Sequence, residues 1–330
     1  MKLREARGAD DPPTLAILIP YHNEGALLTR CLNSLRDQST PVDEILIYDD
    51  ASSLPPEPYI PQGLPVRVVR GAVNIGPGRG RNILLRQTRA RFIHFHDADD
   101  SFAPGWAGSV LTALTNDSLD AVFTDISFAN DLGIYVDRML GLDAIHKGQD
   151  LVSFCIRGVM LTPAGTYRRD IVDAIGGYRE ALWQSEDWDF HIRLAARGIH
   201  FDVLPEPLVV MHRRPDSRSE ERREVLDSTL QAIRLLASEI PARYQKDLSE
   251  VAAHAGSVLF RLGAHSDARA AFRLARRLGP ATLESEPYSY RVLSQIAGQE
   301  CAEWVGYVYR RTLPSSLRNF MASLPMRRAT

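Results

Sequence analysis

Short runs rich in apolar residues alternate with helically spaced apolar positions through the first third of the chain. Four such runs lie at residues 15–19, 44–48, 66–69 and 91–96. Runs of this length are typical of strands buried on both faces of a parallel sheet. The intervening segments 25–38 and 79–89 have the spacing of amphipathic helices. This alternation predicts crossover units around a mainly parallel α/β sheet.

The remainder of the chain has two different patterns of apolar residues. In the middle, the pattern predicts helices at 107–114 and 186–197 and strands at 120–124 and 201–204. Beyond residue 219, alanine, leucine and arginine recur at helical spacing, which predicts helices at 221–239, 243–262, 266–278 and 288–311. We therefore expect a polar leader at 1–13, an α/β domain at 14–219 and a helical domain at 220–330.

Composition and charge narrow the class of protein. The 330 residues, 24% of them charged, are typical of a globular protein of about two domains. The net charge of −2 excludes a general basic field for nucleic acid. Residues 1–219 carry 23 basic and 29 acidic side chains, whereas residues 220–330 carry 16 basic and 12 acidic ones. This uneven division indicates two regions with different partners.

The compartment is predicted from cysteine usage and apolar run length. Three widely spaced cysteines without a CxxC pair fit a reducing compartment, and they exclude a disulfide framework or a thiolate zinc site. The polar start lacks the apolar core of a signal peptide, and no apolar run approaches the ~20 residues that span a bilayer. We expect a soluble, cytoplasmic protein, peripheral to a membrane at most.

Polar clusters follow the predicted strands of the first third, at residues 21–24, 49–50, 74–82 and 97–100. In parallel sheets, ligands bind beyond the carboxyl ends of the strands. We therefore expect these clusters to meet in one site.

Asp97, Asp99 and Asp100 place three carboxylates within four positions after a strand. Carboxylates this close repel one another unless a cation lies between them, which favours a hard divalent metal such as Mg²⁺ or Mn²⁺. The alternative is a solvated acidic turn that caps the next helix.

Residues 74–82 combine glycines, which permit close backbone approach, with arginines suited to phosphate. A dinucleotide-binding loop is disfavoured, because the segment follows the third strand and has GxGxG rather than GxGxxG. Asp50, after the second strand, fits either a turn or an acceptor for a base N–H group.

A second acidic cluster opens the predicted helix at 186–197. One interpretation is structural: Ser185 is the N-cap, and Glu186 and Asp187 favour the helix dipole. The functional interpretation makes Asp187 a general base for an acceptor hydroxyl. His212, after a late apolar run, is either a third metal ligand or a polar loop residue.

The order of these motifs is more specific than any one of them. The segments PYHNE, DDAS, NxG…RN, DADD, GTYRR…GGY, EDWD and MHRR follow one another between Leu15 and Arg214. This order resembles that of the family 2 glycosyltransferases, which have the GT-A fold. The resemblance implies a Rossmann-like, mainly parallel sheet flanked by helices, here followed by an all-α C-terminal region. It also implies inverting transfer from a nucleotide-diphosphate sugar, a UDP-sugar above all, with Mn²⁺ or Mg²⁺.

The resemblance also implies roles for individual residues. It assigns the nucleotide sugar to Pro20, Tyr21, Glu24, Asp50, Asn74, Gly76, Arg81, Asp97, Ala98 and Asp99. Within that set, Tyr21 would stack near the base and Asp50 would bond to it. The metal ligands would be Asp99, Asp97 and His212. Asp187 would be the catalytic base, supported by Glu186.

The acceptor implied is a hydroxyl of a glycan or lipid-linked glycan, as in cell-surface polysaccharide synthesis. The chain lacks the QxxRW motif and the membrane spans of processive polymer synthases, which favours single addition. Two rivals stay open: a sugar-nucleotide nucleotidyltransferase, and a degenerate glycosyltransferase that acts as a scaffold. Retention of both DADD and EDWD disfavours the scaffold.

The C-terminal region lies outside the resemblance. Residues 310–328 contain five arginines and no acid, with apolar residues at helical spacing. A basic amphipathic tail of this kind can lie on an anionic membrane. The alternative for the C-terminal helices is packing on the catalytic domain or on a second subunit, as in a homodimer.

Overall fold

The computed structural model describes residues 14–129, 135–139, 142, 145, 150–158, 160–212, 222–281 and 288–312. The chain divides into two compact units between Ala232 and Ile233. The predicted leader and nearly all of the predicted tail lie outside the described residues. The predicted boundary at residue 219 stays a prediction.

The first unit is built on one mixed sheet. Its described strands are β1 (Leu15–Tyr21), β2 (Glu44–Asp49), β3 (Val66–Arg70), β4 (Phe92–Phe95), β5 (Ser101–Phe102), β6 (Ala121–Ala129), β7 (Tyr135–Met139), β8 (Gly165–Arg168) and β9 (Phe201–His212). Their order is β3-β2-β1-β4-β8-β6-β9-β5, and β7 pairs with β6. The predicted α/β class is confirmed, and the sheet, which was predicted to be mainly parallel, contains parallel and antiparallel pairs in equal number.

Helices flank this sheet. In the described part of the first unit they are α1 (Ala26–Arg36), α2 (Pro77–Gln87), α3 (Trp106–Ala113), α4 (Leu151–Arg157), α5 (Arg169–Ala174) and α6 (Glu186–Ala196). Helix α7 (Arg222–Glu239) contains the division between the units. Helices α4 and α5 are short and were not predicted from the spacing.

The four predicted runs form the parallel part of the sheet. Strand β1 pairs in parallel with β2 and β4, and β2 pairs in parallel with β3. Residues 15–19 of β1 are fully buried, as expected of a central strand covered on both faces. This register sets Tyr21 opposite Asp49, so the carboxyl ends of the strands meet at one edge.

Strand β8 is antiparallel and lies between β4 and β6. Its four residues, Gly165 to Arg168, are too few and too mixed in polarity to give a periodic signal. Helix α5 follows it, and the next segment, 175–179, turns back towards helix α2, where Tyr178 bonds to Asn82.

Two consecutive glycines make this return possible. Gly177 has a φ of +67°, and a Cβ there would overlap Oδ1 of Asn82, which accepts a hydrogen bond from Tyr178 N. Gly176 has a φ of +75° but nothing within 4 Å of its Cβ position. Both positions need the left-handed backbone that glycine adopts without cost.

We therefore expect Gly177→Ala to lower the free energy of unfolding more than Gly176→Ala does. The Gly176 variant carries only the backbone strain of about 1–2 kcal/mol. The Gly177 variant adds the displacement of Asn82. Urea denaturation of both variants measures the difference, and equal losses would contradict the assigned contact.

The second unit is helical in its described part. Its helices are α8 (Gln245–Arg261), α9 (His265–Leu278), α10 (Tyr288–Ala297) and α11 (Gln299–Thr312). Helices α8 and α9 form a hairpin, and Gly256 of α8 leaves room for the ring of Phe272. No helix among the described residues is long and apolar enough to cross a membrane.

The single helix predicted at 288–311 is wrong, because the structure has two helices there. Gly298 separates them with a φ of +87°, which is outside the helical region. The apolar spacing continues across this glycine, so periodicity alone did not reveal the break.

Candidate active site

Asp50 fixes the loop that follows β3. Its carboxylate is buried and accepts hydrogen bonds from the backbone N–H groups of Ile75, at 2.7 Å, and Gly76, at 2.8 Å. Asn74 is exposed; its Oδ1 accepts a third bond, from Gly76 N at 3.2 Å, and its amide nitrogen lies 3.3 Å from the His22 ring. The predicted bond from Asp50 to a base stays a prediction, and the structure shows Asp50 holding the loop.

Tyr21 ties the end of β1 to the next two loops. Its hydroxyl donates to Leu54 O at 2.7 Å and accepts from Gly25 N at 3.2 Å. Only 1% of the residue is exposed, and burial raises its pKa above the ordinary value. Stacking on a base would require this ring to be uncovered, so that predicted role stays a prediction. Of the other predicted residues here, Pro20 is half-buried and Glu24 accepts a bond from His22 N.

Arg81 joins the two acidic motifs. Its guanidinium donates to Asp97 Oδ1 at 2.6 Å and to Glu186 Oε1 at 3.0 Å, and lies 5.0 Å above the Tyr178 ring. Burial opposes the charge of Arg81, but Asp97, Tyr178 and Glu186 together raise its pKa above the ordinary value. The arginine is therefore a fixed cation between the acidic turn and helix α6.

The glycines of residues 76–80 make room for protein side chains. A Cβ at Gly76 would lie 3.0 Å from Trp183, one at Gly78 would lie 3.1 Å from Glu186, and one at Gly80 would lie 2.8 Å from Tyr48. These glycines were predicted to let a ligand approach the backbone closely, but in the structure the side chains of Trp183, Glu186 and Tyr48 occupy that space. The contact between Gly78 and Glu186 brings the start of helix α2 against the start of helix α6.

The acidic turn ends in a buried carboxylate. Asp100 accepts a hydrogen bond from His212 N at 3.0 Å, and Ser101 Oγ lies 3.0 Å from His212 Nε2. Burial, followed by the charges of Asp99 and Asp97, raises the pKa of Asp100 well above its ordinary value. Strand β9 thus places His212 beside the acidic turn, although His212 lies 112 residues after Asp100 in the chain.

Asp187 lies in the first turn of helix α6. Its carboxylate accepts from Trp188 N at 2.7 Å. Burial and then the neighbouring charge of Glu186 raise the pKa of Asp187 to about 7, although Arg81 opposes the shift. A carboxylate with this pKa can accept a proton near neutral pH.

A buried histidine supports the backbone of Asp187. His191 Nδ1 donates to the Asp187 carbonyl at 2.7 Å, because a carbonyl oxygen can only accept. Burial lowers the pKa of His191 to about 3, so the ring is neutral and its Nε2 accepts from Tyr167 OH at 2.8 Å. This pair fixes the helix turn that carries Asp187.

Comparison with known proteins gives one family match. The model of the family described as Glycosyl transferase family 2 matches residues 16–176. Residues 16–176 therefore form a region of the glycosyltransferase family 2 type.

An uncharacterized glycosyltransferase of Haemophilus influenzae is 27% identical over 183 residues, which are 54% of this chain and 61% of that relative. The match thus spans less than two thirds of the relative's length.

Two solved structures resemble this chain in fold. Residues 1–349 of TarS from S. aureus, in complex with UDP-GlcNAc, superpose with a TM-score of 0.68 and 17% identity, covering 92% of this chain and 93% of that one. The mannosyltransferase PcManGT from Pyrobaculum calidifontis, in complex with GDP-Man and Mn²⁺, has a TM-score of 0.56 and 16% identity, covering 91% and 88%. At these identities the likeness shows a shared fold.

The predicted metal residues of this chain lie around the acidic turn. Asp97 is partly exposed, Asp99 follows a buried Ala98, and His212 borders Asp100. Among the described residues, no three His, Cys, Asp or Glu side chains converge closely enough to hold a metal ion by themselves. A carboxylate pair that shares its cation with phosphate oxygens needs no such trio, and that is how Mg²⁺ usually binds. The residues therefore fit a metal that arrives with a diphosphate.

The structure corrects one prediction at helix α6. The Ser185 side chain does not cap the helix; Ser185 has a φ of +57°, and its Oγ lies 2.9 Å from Thr229 Oγ1. This left-handed residue turns the chain sharply immediately before Glu186 and Asp187.

Sequence reasoning also missed the role of Asp189, the second aspartate of EDWD. It is fully buried and pairs with Arg179, at 3.1 Å, and Arg193, at 2.7 Å. Arg193 also donates to the carbonyls of Ile175 and Gly177, both at 2.8 Å. The spacing of Asp189 and Arg193, four residues apart on a helix, was the available signal.

Proposed function

We propose that this chain transfers one sugar from a nucleotide-diphosphate sugar to an acceptor hydroxyl, with inversion at the anomeric carbon. The observation that carries the proposal is the Arg81 bridge, which holds the acidic turn and the Asp187 helix together. The acidic turn at residues 97–100 suits a metal and a diphosphate. Asp187 suits removal of the proton from the acceptor hydroxyl. Their juxtaposition supports transfer between two substrates.

In this mechanism Asp187 accepts the proton of the acceptor hydroxyl as the oxygen attacks the anomeric carbon. The bond from that carbon to the diphosphate oxygen breaks on the opposite face, and a single displacement inverts the configuration. Arg81 keeps its positive charge and holds Glu186 and Asp97 in place. The raised pKa of Asp187, about 7, suits a base that works near neutrality.

Asp97 and Asp99, together with oxygens of the diphosphate, would hold a divalent cation, Mn²⁺ or Mg²⁺, and His212 lies beside this turn through its backbone bond to Asp100. A bound cation of this kind supplies Lewis-acid stabilisation for the charge that develops on the leaving diphosphate. The acidic turn, with three carboxylates in four residues, has the oxygen donors that such cations prefer.

The donor class is supported by the structural neighbours, which were solved with UDP-GlcNAc and with GDP-Man and Mn²⁺. We propose a UDP-sugar as donor and a hydroxyl of a glycan or lipid-linked glycan as acceptor. Both proposals extend the family resemblance to this chain.

Hydrolysis of a panel of UDP- and GDP-sugars tests the proposal. We expect nucleoside diphosphate to be released from at least one UDP-sugar. We also expect a chelator to abolish the release and added Mn²⁺ or Mg²⁺ to restore it. Unchanged turnover after chelation would overturn the metal assignment.

Release of pyrophosphate from a nucleoside triphosphate and a sugar phosphate would favour the nucleotidyltransferase, and inertness towards every donor would favour the scaffold.

We also propose peripheral contact with an anionic membrane through the C-terminal region. Helix α11 exposes Trp304, Val305 and Val308, and the sequence continues into the five arginines of residues 310–328. Apolar residues beside arginines fit the interface of an anionic bilayer. Co-sedimentation with phosphatidylserine vesicles should occur at low salt and fall when the five arginines are replaced by glutamine. Equal binding by both forms would contradict the proposal.

A further inference from the structure

Trp183 is an exposed indole at the edge of the candidate site. It is 47% exposed, although tryptophan side chains are usually well covered. Among the described residues of the first unit, only Leu54 and Val73 are other large apolar side chains with comparable exposure. All three lie in loops at the edge where the parallel strands end, so exposed apolar surface is concentrated around the site.

One face of the indole is covered by backbone. The six-membered ring of Trp183 lies against Gly76, whose Cβ position would be 3.0 Å from Cζ3 and 3.1 Å from Cε3. Gly76 is held by the Asp50 carboxylate. The indole therefore rests on a fixed loop and leaves part of its surface accessible.

The segment that carries Trp183 is fixed at both ends. Asn82 exchanges two hydrogen bonds of 2.8 Å with the backbone of Tyr178, and Arg79 donates to Glu180 O at 3.0 Å. On the other side, Glu186 packs against Gly78. Such an arrangement pre-organises the ring and reduces the entropy that binding would cost.

The ring also lies close to the acidic start of helix α6. Trp183 contacts Gly76 and Glu186 contacts Gly78, two residues further along the same segment. Two residues span at most about 7 Å. Asp187 follows Glu186 directly, so the indole and the general base share one rim of the site.

We propose that Trp183 is the platform on which the acceptor sugar stacks, which presents its hydroxyl to Asp187. The aliphatic C–H face of a pyranose is apolar and carries slight positive charge, and it complements the negative face of an aromatic ring. A neutral acceptor also suits this rim, because the Asp187 carboxylate at its edge would repel an anionic one. This inference rests on the proposed function and names the acceptor class as a neutral carbohydrate.

The acceptor is favoured over the base of the donor for a positional reason. Trp183 is four residues before Asp187, on the segment that leads into the helix of the general base. The residues assigned to the nucleotide lie on other segments, after β1, β2, β3 and β4, and Gly76 is the one of them that contacts the ring. Stacking on a base is therefore an outcome of the test that would overturn the assignment.

Binding to an array of immobilised neutral mono- to tetrasaccharides tests the platform without turnover. The variants are Trp183→Leu, Trp183→Phe and the matched control Trp304→Leu, since Trp304 is similarly exposed at 51% but lies in the second unit. We expect the wild type, Trp183→Phe and the control to bind the same glycans and Trp183→Leu to lose them. No glycan bound by the wild type, or equal binding by Trp183→Leu, would overturn the proposal.

Kinetics with a bound glycan separate this proposal from the proposed function. Trp183→Leu should raise the acceptor KM about tenfold and change the UDP dissociation constant much less. A raised UDP dissociation constant with an unchanged acceptor KM would assign the ring to the donor. Glycan binding without hydrolysis of any donor would contradict the proposed function and leave the platform supported.

Discussion

Asp187→Asn is expected to lower the rate of sugar transfer about 10³-fold, within the range for loss of a general base. Asparagine has nearly the same shape and can still accept the hydrogen bond from Trp188 N, but it cannot take up a proton. The Arg81–Glu186 pair is left in place, so UDP should bind as tightly as before. Transfer assays and calorimetric titration with UDP measure the two quantities.

Asp117→Asn is the matched control. Asp117 is an exposed carboxylate that pairs with Arg91 at 2.8 Å, outside the candidate site. Its replacement should leave transfer unchanged. If Asp187→Asn transferred sugar at a rate close to that of Asp117→Asn, Asp187 would not be the base.

The pH dependence gives the same assignment a second signature. The pKa of Asp187 is about 7, and only the deprotonated form can accept the acceptor proton. The value of kcat/KM should therefore rise with pH below about 7 and level off above it.

The contribution of Asp187 to the free energy of unfolding should fall over the pH range in which kcat/KM rises. Because the folded state raises the pKa of Asp187 from 3.8, it binds the proton more tightly than the unfolded chain does. Between pH 3.8 and about 7, this group therefore makes the free energy of unfolding fall as pH rises. Asp187→Asn removes that contribution and should be more stable than the wild type at pH 8.

The sequence predicts the frame of the fold because its central strands are buried on both faces. Residues 15–19 and 45–48 have continuous apolar runs, since no side of these strands faces water. The short antiparallel strand β8 and the two-residue β5 have no such signal, because their position depends on partners far along the chain. Periodicity likewise passed over Gly298, where one backbone angle ends a helix.

The sequence predicts which residues form the candidate site, but it does not predict which of them contact one another. The order of DADD and EDWD identifies Asp97 and Glu186, yet nothing in their spacing shows that Arg81 lies between them. The glycines of residues 76–80 were predicted to admit a ligand, and the contacts with Trp183 and Glu186 depend on a segment that is distant in the sequence. Long-range contacts of this kind are set by the assembled sheet.

Arg81→Met is expected to lower the free energy of unfolding by about 3 kcal/mol, the lower end of the range for breaking a buried ion pair. Methionine has a similar length but no charge, so Glu186 would be left buried beside Asp97 without its cation. The lower end applies because the Asp97 side chain is 32% exposed and can recover some hydration. Arg81→Lys should lose less, since an ammonium keeps the charge but cannot donate to both carboxylates in a fork.

The control for this prediction is Arg91→Met, which breaks an exposed pair with Asp117. Surface pairs contribute at most about 1 kcal/mol, so this variant should stay close to the wild type. Urea denaturation at pH 7 measures both losses. Equal stability of Arg81→Met and Arg91→Met would mean that the guanidinium does not hold the two acidic motifs together.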